Sequence, residues 1–324
     1  MILLLGATSY VGQGFARTLR RRKDSFIPLS RNAFDYTRFE FLFDYVRKVK
    51  PDLVINAAEC TEKPNGDAGG GDRTEMLKIN TLLPQTIARV CSLTNTSFGH
   101  VSSGSIYSGA KIAENGGFTV LEDLWTPSVR GVLDSNPKRI FGFSEHDKPN
   151  SSFNSAPCTF YSGTKALAEE ALRGKQLYIW RLSLPFNEVD DPSNFLSQLQ
   201  DGLKVHDAIN SISHLDECVA ACLELWERQV PFGIFNVVNP GPVRIHHVTQ
   251  LIQRILKPAR QFQLMIYDNE GAAIDQRFPH GDCVLDNSKI MSAGVKLRWA
   301  EQAIEDALGK WTPQGVSTVN NNLA

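Results

Sequence analysis

The sequence has no apolar run long enough to span a membrane and no excess of charge of either sign. The apolar opening, Met1 to Leu5, stops at Gly6 and is too short for a signal peptide, so we expect a cytoplasmic protein. The 324 residues include 34 lysines and arginines against 35 aspartates and glutamates, a net charge of −1. That balance predicts neither nucleic acid nor membrane as a partner.

Metal-binding patterns are also missing. The chain has 6 cysteines, none of which forms a CxxC pair. His214, His280 and the pair His246-His247 lack a companion ligand at metal spacing, so we expect no metal cofactor. We expect the cysteines, Cys218 and Cys222 among them, to be reduced structural thiols.

What the sequence does contain is an alternation of short apolar runs with segments of helical periodicity. The apolar runs lie at 2–5, 26–29, 53–56, 97–102 and 177–182. Continuous apolar strands between helices are typical of a parallel sheet that is covered on both faces. We therefore predict an α/β protein with a doubly wound parallel sheet, a Rossmann fold, and a smaller carboxyl-terminal α/β lobe.

A glycine-containing turn lies between the first strand and the first helix. It reads Gly6-Ala7-Thr8-Ser9-Tyr10-Val11-Gly12. A dinucleotide pyrophosphate needs a tight turn, close backbone approach and the positive end of a helix at this place. Ser9 stands where a glycine is expected, and its hydroxyl is either an extra phosphate donor or added bulk. The alternative is a turn whose glycines serve packing only.

The second strand ends in Leu29-Ser30-Arg31, without an acidic residue for a ribose 2′-hydroxyl. The guanidinium fork of Arg31 suits a 2′-phosphate, which favours NADP over NAD. The alternative is an exposed surface arginine.

A tyrosine and a lysine, Tyr161 and Lys165, share one face of a predicted helix because they are four residues apart. A neighbouring cation lowers the pKa of a phenol and lets it exchange a proton with a carbonyl oxygen. Ser103 ends the fourth strand, at the sheet edge where open α/β folds bind ligands, and its hydroxyl can donate to the same oxygen. Ser102 and Ser105 are near-equal rivals, and the spacing of the tyrosine and lysine alone is common by chance.

The order of these motifs resembles the extended short-chain dehydrogenase/reductase superfamily. Within it, the segments 50–58, 63–65, 143–150, 192–195 and 233–241 are similar to the dTDP-4-dehydrorhamnose reductase branch, which includes plant-type bifunctional 3,5-epimerase/4-reductases. The resemblance covers about residues 1–310. It rests on these motifs: Gly6 to Gly12, Asn56-Ala57-Ala58, Asn80, Ser102-Ser103, and Tyr161 with Lys165.

The resemblance implies an NADPH-dependent reductase of a nucleotide-linked 4-keto-6-deoxysugar. Tyr161 would be the proton donor, Lys165 its partner and a ribose ligand, and Ser103 the second hydroxyl. Asn80 would be a structural support. The implied cofactor-binding residues are Gly6, Thr8, Ser9, Tyr10, Val11, Gly12, Arg31, Asn56, Ala57, Ala58, Tyr161, Lys165 and Leu184. The implied substrate-binding residues are Asn65, Ser105, Asn187 and Asn194.

The same resemblance implies an NADP-binding Rossmann domain over 1–184, to which segments near 212–240 return. A substrate lobe would lie mainly over 185–311, and a flexible tail over 312–324. The stretch 109–157, with four prolines, is predicted to be a partly ordered lid, and its portion 110–139 to be an insertion near the substrate. A homodimer is expected from the family alone.

Two departures from the pattern of this family leave other functions open. A cysteine serves epimerisation in the bifunctional relatives at the position of Ser105, so we do not expect epimerisation by that route. Ser9 in the phosphate turn leaves cofactor affinity open. The alternatives are a nucleotide-sugar epimerase or dehydratase with tightly bound NAD(P), or a non-catalytic dinucleotide-binding regulatory protein.

Overall fold

The computed structural model describes residues 1–61, 72–114, 117–121, 124, 140–156, 158–201, 204–258, 262–265 and 281–313. Its centre is a 6-stranded sheet in which every pairing is parallel. Its strands are β1 (Ile2–Leu5), β2 (Phe26–Leu29), β3 (Leu53–Asn56), β4 (Ser97–Ser103), β8 (Tyr178–Leu182) and β13 (Gly233–Asn236). Their order is β13-β8-β4-β3-β1-β2, which confirms the predicted doubly wound sheet.

Helices cover both faces of the sheet, and the strands are apolar throughout because each face is buried. Leu4 packs with the core on one side, and Leu3 and Leu5 pack with the core on the other. The helices of this part are α1 (Tyr10–Arg22), α2 (Phe39–Val49), α3 (Arg73–Leu77), α4 (Leu83–Thr94) and α5 (Phe160–Leu172). One π turn, Lys78–Leu82, joins α3 to α4, so the two helices form one long helix with one irregular turn.

Where it is described, the carboxyl-terminal part adds short strand pairs and five helices. The helices are α6 (Phe195–Asp201), α7 (Leu215–Glu227), α8 (Ile245–Leu256), α9 (Ser288–Ser292) and α10 (Ala300–Gly309). The strand pairs are β9 (Pro185–Phe186) with β12 (Ser213–His214), β10 (Lys204–His206) with β15 (Gln263–Met265), and β11 (Ile209–Asn210) with β14 (Val243–Arg244).

This part has its own apolar core, which includes Phe186, Leu196, Val248 and Ile304. Two elements of this half of the chain belong to the first part: β13 is the edge strand that pairs with β8, and α7 packs against α1. The domain limits given above stay a prediction.

Part of the predicted lid is an ordered antiparallel sheet that the sequence did not indicate. It contains β5 (Ala110–Glu114), β6 (Gly117–Leu121) and β7 (Ile140–Phe141), in the order β6-β5-β7. The glycine-rich segment 62–71 lies outside the described residues, as do most of 122–139 and the residues from 314 onward. In the part of the chain that is described, no helix is long and apolar enough to cross a membrane. The same residues contain no group of three or more side chains that could hold a metal ion.

Candidate active site

The glycines of the phosphate turn are required by close backbone packing. Gly6 has a φ of +76°, and a Cβ added to it would lie 2.3 Å from the backbone nitrogen of Ala58. A Cβ on Gly12 would lie 2.0 Å from the carbonyl oxygen of Gly6. The turn therefore lies directly on the end of β3 and leads straight into α1, and at these two positions the backbone packing leaves no room for a side chain.

Ser9 acts as a helix cap in this turn. Its Oγ accepts a hydrogen bond from the nitrogen of Gly12 at 2.9 Å and donates one to the carbonyl oxygen of Ala57 at 2.7 Å. Of the two possibilities left open for Ser9, this geometry does not support a donor to phosphate, because the hydroxyl proton is committed to Ala57. The φ of Ser9 is −68°, a value that does not require glycine.

Arg31 follows β2 and is half-exposed. Its Nη1 pairs with a carboxylate oxygen of Glu75 on α3. A guanidinium has five N–H donors, so this pairing leaves others for a second ligand. The assignment of Arg31 to a 2′-phosphate stays a prediction.

The structure brings Tyr161, Lys165 and Ser103 together at the carboxyl end of β4. Thr159 caps α5, its Oγ1 accepting from the nitrogen of Ser162 at 3.0 Å, and this fixes where the helix starts. The hydroxyl of Ser103 lies near enough to the phenol of Tyr161 to lower the pKa of that phenol. The side chain of Lys165 is 1% exposed, and its Nζ donates to the carbonyl oxygen of Val101 at 3.4 Å.

A carboxylate that the sequence analysis missed lies in the same place. The phenol of Tyr161 donates to Oε1 of Glu59, and Nζ of Lys165 lies 3.0 Å from the same oxygen. Burial and the Glu59 carboxylate raise the pKa of Tyr161 well above its usual value, while the bond from Ser103 lowers it. The pKa is thus raised and not lowered, contrary to the expectation from Lys165, because burial and the Glu59 carboxylate both favour the protonated phenol.

The rivals of Ser103 have other surroundings. Ser102 is buried, and its Oγ donates to Oε1 of Glu169 at 2.6 Å. The nitrogen of Ser105 donates to Oγ of Ser103 at 3.2 Å, whereas its own Oγ is buried without a hydrogen-bond partner among the described residues. The geometry thus favours Ser103 as the hydroxyl that acts beside Tyr161.

Two buried amides, Asn56 and Asn80, support the segment that follows β3. Asn56 is fully buried, and its Oδ1 accepts from the nitrogen of Ala58 at 3.1 Å, so its side chain supports this segment from beneath. Asn80, in the π turn, bonds the nitrogen and the carbonyl oxygen of Cys60 at 2.9 Å and 2.8 Å. Its Nδ2 also donates to Oγ1 of Thr164 at 3.1 Å. This arrangement agrees with the supporting role expected for Asn80.

The asparagines predicted to bind substrate are used by the chain itself. Nδ2 of Asn194 donates to the carbonyl oxygens of Asn187 and Val189 at 2.9 Å and 2.7 Å. Oδ1 of Asn187 accepts from the hydroxyl of Tyr10 at 3.1 Å. Both asparagines are buried, so substrate contact through their side chains is not what the structure shows. Asn65 lies outside the described residues.

Leu184 follows the carboxyl end of β8 and has a φ of +39°, a conformation that leucine rarely adopts. Non-glycine residues in strained conformations cluster at ligand sites. The predicted cofactor contact of Leu184 stays a prediction.

A second ion pair lies beneath the site and was not found from the sequence. Nη2 of Arg181 lies 2.6 Å from Oε2 of Glu169, and the two side chains are 2% and 5% exposed. Nη1 of Arg181 donates to the hydroxyl of Tyr107 at 3.1 Å, and that hydroxyl donates to the carbonyl oxygen of Asp147 at 2.7 Å. The network joins α5 and β8 to the segment that follows β7.

Comparisons with known proteins agree with this architecture. The model of the RmlD substrate binding domain family matches residues 1–312. A trifunctional UDP-glucose 4,6-dehydratase/UDP-4-keto-6-deoxy-D-glucose 3,5-epimerase/UDP-4-keto-L-rhamnose-reductase of Arabidopsis thaliana is 28% identical over 231 residues, 71% of this chain and 30% of the relative. The chain therefore spans less than a third of the length of this relative.

Solved structures with the same fold cover almost the whole chain. A UDP-rhamnose synthase from Acanthamoeba polyphaga mimivirus superposes with a TM-score of 0.74 at 19% identity, covering 95% of this chain and 98% of that one. A dTDP-4-dehydrorhamnose reductase from Bacillus anthracis, in complex with NADP, has a TM-score of 0.68 at 15% identity, covering 96% of each chain. At these identities the likeness establishes the fold.

Proposed function

The chain belongs to the RmlD substrate binding domain family, and from that premise we propose that it is an NADPH-dependent reductase of a nucleotide-linked 4-keto-6-deoxysugar. One observation carries the proposal. A phenol, a hydroxyl and a buried ammonium meet at the carboxyl edge of a parallel sheet, where open α/β folds bind their ligands. The groups are Tyr161, Ser103 and Lys165.

The residues present fit a dinucleotide. Gly6 and Gly12 let the turn pack closely against the protein backbone after β3. The amino end of α1 offers the positive pole of a helix dipole to a pyrophosphate. Arg31 would hold a 2′-phosphate, and Lys165 with Tyr161 would hold the nicotinamide ribose. When bound, NADPH supplies the hydride that the keto carbon gains. The NADP in the Bacillus anthracis reductase supports this choice of cofactor.

Tyr161 supplies the proton that completes the reduction. Its raised pKa keeps the phenol protonated at neutral pH, and the phenol can donate to the carbonyl oxygen of a keto-sugar once that oxygen replaces Glu59 as its acceptor. Ser103 donates a second hydrogen bond to the same oxygen. The carbonyl thereby gains one hydride at carbon and one proton at oxygen, which gives the alcohol.

The substrate class follows from the relatives and is a proposal for this chain. The Arabidopsis thaliana relative is named for a UDP-linked ketosugar, and the Bacillus anthracis structure for a dTDP-linked one. In this proposal the sheet domain, 1–184, binds the cofactor and the carboxyl-terminal lobe binds the nucleotide-sugar. A homodimer and a cytoplasmic location stay predictions.

The test supplies NADPH with UDP- and dTDP-linked 4-keto-6-deoxyglucose or 4-ketorhamnose and follows loss of the reduced nicotinamide absorbance. Tyr161→Phe should lower kcat by roughly 10²- to 10⁴-fold, since it removes a general acid. Tyr45→Phe is the matched control, because Tyr45 lies on α2 against Phe34 and should leave the rate unchanged.

Three other outcomes would contradict the proposal. Full activity of Tyr161→Phe would reject the catalytic assignment. Turnover of a nucleotide-sugar without added reductant would favour an epimerase or dehydratase. Dinucleotide binding without turnover of any ketosugar would favour a regulatory protein.

A further inference from the structure

Arg31, the side chain proposed above for a 2′-phosphate, already binds a carboxylate. Its Nη1 donates to Oε1 of Glu75 on α3, and both side chains are partly exposed. The pairing joins the end of β2 to a helix that begins after β3. An anion thus lies directly against the group that is expected to bind another anion.

The pair lies beside the phosphate turn. Strand β2, which Arg31 follows, pairs with β1, and in the turn the nitrogen of Ala7 donates to the carbonyl oxygen of Leu29 at 3.1 Å. Burial raises the pKa of Tyr36, whereas the Arg31 charge and the backbone of Gly6 lower it, so this phenol lies close to both the guanidinium and the turn. In a Rossmann fold the adenosine ribose of a dinucleotide lies at this end of the second strand.

Glu75 reaches Arg31 from a fixed backbone. It lies in the first turn of α3, where Oδ1 of Asp72 accepts hydrogen bonds from the nitrogens of Thr74 and Glu75 at 3.0 Å and 3.1 Å. The helix continues through the π turn into α4 and also contacts α5. The position of the carboxylate is therefore set by a capped helix that packs against its neighbours.

A second cation, Lys78, lies near the carboxylate without cancelling its charge. Its Nζ is 4.0 Å from Oε2 of Glu75, and its side chain is exposed. The same ammonium acts on Asp35, whose pKa is lowered chiefly by a hydrogen bond from Thr37 and in part by the Lys78 charge. Because an exposed ion pair at this distance is weak, Glu75 keeps most of its effect on an anion beside Arg31.

NADPH and NADH differ at the ribose 2′ position, where the two members of the pair have opposite effects. A 2′-phosphate carries up to two negative charges at neutral pH, which a guanidinium attracts and a carboxylate repels. A 2′-hydroxyl is neutral, and a carboxylate accepts its hydrogen bond. A phosphate on the remaining N–H donors of Arg31 would lie within a few ångströms of Glu75, because both anions then share one guanidinium.

We propose that Glu75 is a specificity-determining residue that reduces the preference of this chain for NADPH over NADH. Arg31 attracts the 2′-phosphate of NADPH, and Glu75 opposes it by charge repulsion and by occupying one donor of the same guanidinium. The proposal rests on the dinucleotide site of the proposed function and does not depend on the sugar substrate.

The test measures the Kd of NADPH and of NADH for the full chain without sugar, by isothermal titration calorimetry. Glu75→Gln keeps the size of the side chain and removes its charge. The Kd of NADPH should fall about tenfold, because the repulsion is gone and the guanidinium is released. The Kd of NADH should change by less than about twofold, since the glutamine oxygen still accepts a hydroxyl. The gain for NADPH should shrink at high salt, because the pair is partly exposed.

Two further variants serve as a placement test and a control. Arg31→Leu should raise the Kd of NADPH at least about tenfold and that of NADH by less than about threefold, since only the phosphate loses a charged partner. Glu305→Gln removes the charge of another exposed carboxylate, one that pairs with Arg254 in the carboxyl-terminal part, and should alter neither Kd. Circular dichroism checks that the three variants are folded.

Three results would overturn the proposal. An unchanged ratio of the two dissociation constants in Glu75→Gln would make Glu75 a structural residue. A weaker affinity of Glu75→Gln for NADPH would mean that the carboxylate orients Arg31 towards the phosphate. An unchanged NADPH affinity in Arg31→Leu would place the pair away from the 2′ position.

The two proposals fail in different ways. If both dinucleotides bind but no nucleotide-linked ketosugar is reduced, the proposed function fails, and the dissociation constants still decide the role of Glu75. If ketosugars are reduced and the ratio of dissociation constants in Glu75→Gln matches the wild type, the proposed function stands and the inference about Glu75 is wrong.

Discussion

Two carboxylate–cation pairs are built on α5, and they differ in exposure and in their neighbours. Lys165 pairs with Glu59, which is 30% exposed. Glu169, one turn further along the helix, pairs with Arg181, and their side chains are 5% and 2% exposed. In the first pair, Oε1 of Glu59 also accepts the hydroxyl proton of Tyr161. In the second pair, the oxygens of Glu169 also accept from Oγ of Ser102 and from Nε of Arg181.

The comparison separates a structural pair from a chemical one. In the sealed pair, Arg181 with Glu169, each oxygen of Glu169 accepts at least one hydrogen bond. The two charges therefore compensate each other where water does not reach them. In the open pair, Lys165 with Glu59, the partly exposed carboxylate bonds Tyr161, whose protonation matters for the proposed reaction. Burial thus indicates in which pair the loss of a single partner costs the most stability, and a shared reactive group indicates which pair can act on the chemistry.

Breaking the sealed pair should have the largest effect on stability. Arg181→Met leaves the Glu169 carboxylate buried without its cation, which typically costs about 3–5 kcal/mol. Chemical denaturation measures the loss. The double variant Arg181→Met/Glu169→Leu should recover a substantial part of it, because no charge is then left unpaired. A double variant that is less stable than the single one would contradict this account.

Breaking the open pair should affect activity more than stability. Lys165→Met should lower kcat/KM at least ~100-fold, because the lysine is the proposed ribose ligand and the partner of the proton donor. The free energy of unfolding should change by less than that of Arg181→Met, since Glu59 can hydrate when its cation is removed. Steady-state kinetics and thermal unfolding of the same preparation measure both. Equal stability losses in the two variants would remove the distinction.

Removing only the carboxylate charge of the open pair should have a small effect on stability. Glu59→Gln should change the free energy of unfolding by no more than ~1 kcal/mol, as is usual for partly exposed ion pairs. Denaturant unfolding at neutral pH measures it. A loss as large as that of Arg181→Met would show that Glu59 belongs with the structural pair.

The smallest effect concerns stability at alkaline pH. The pKa of Tyr161 is raised in the folded protein. Its contribution to the free energy of unfolding is therefore complete below the pKa of the unfolded chain, about 10, and declines as the pH rises above that value. Tyr161→Phe should therefore make thermal stability fall less steeply above that pH. The slope should not vanish, because burial also raises the pKa of other tyrosines, Tyr10 and Tyr107 among them. An unchanged slope would mean that the phenol is solvated.

The parts of the site that the sequence predicted are local in the chain. The phosphate turn follows its strand directly, and Tyr161 and Lys165 share a helical face, so spacing alone places them. Glu59 lies 102 residues from Tyr161, and no local pattern joins the two. A signal was nevertheless present, because Glu59 follows β3, the neighbour of β4, and carboxyl ends of adjacent parallel strands meet at one edge.

The fold shows the same division between local and distant information. The buried strands of the main sheet were readable because their apolar runs are continuous. Strand β6, in contrast, is short and lies largely exposed, so the β-forming residues Phe118, Thr119 and Val120 are its only signal. Asn187 and Asn194 were assigned to substrate through a resemblance, and only coordinates reveal that Asn194 bonds its own loop and that Asn187 bonds Tyr10 on α1.

The π turn at Lys78–Leu82 makes the site sensitive to helix length. A helix advances by about 100° per residue, so deleting one residue from this turn would rotate the preceding helix relative to α4 by roughly that angle. The rotation would carry the amide of Asn80 away from Cys60 or from Thr164, which it now bonds together. A single-residue deletion far from any ligand contact would then disconnect the loop after β3 from the helix that bears the reactive phenol.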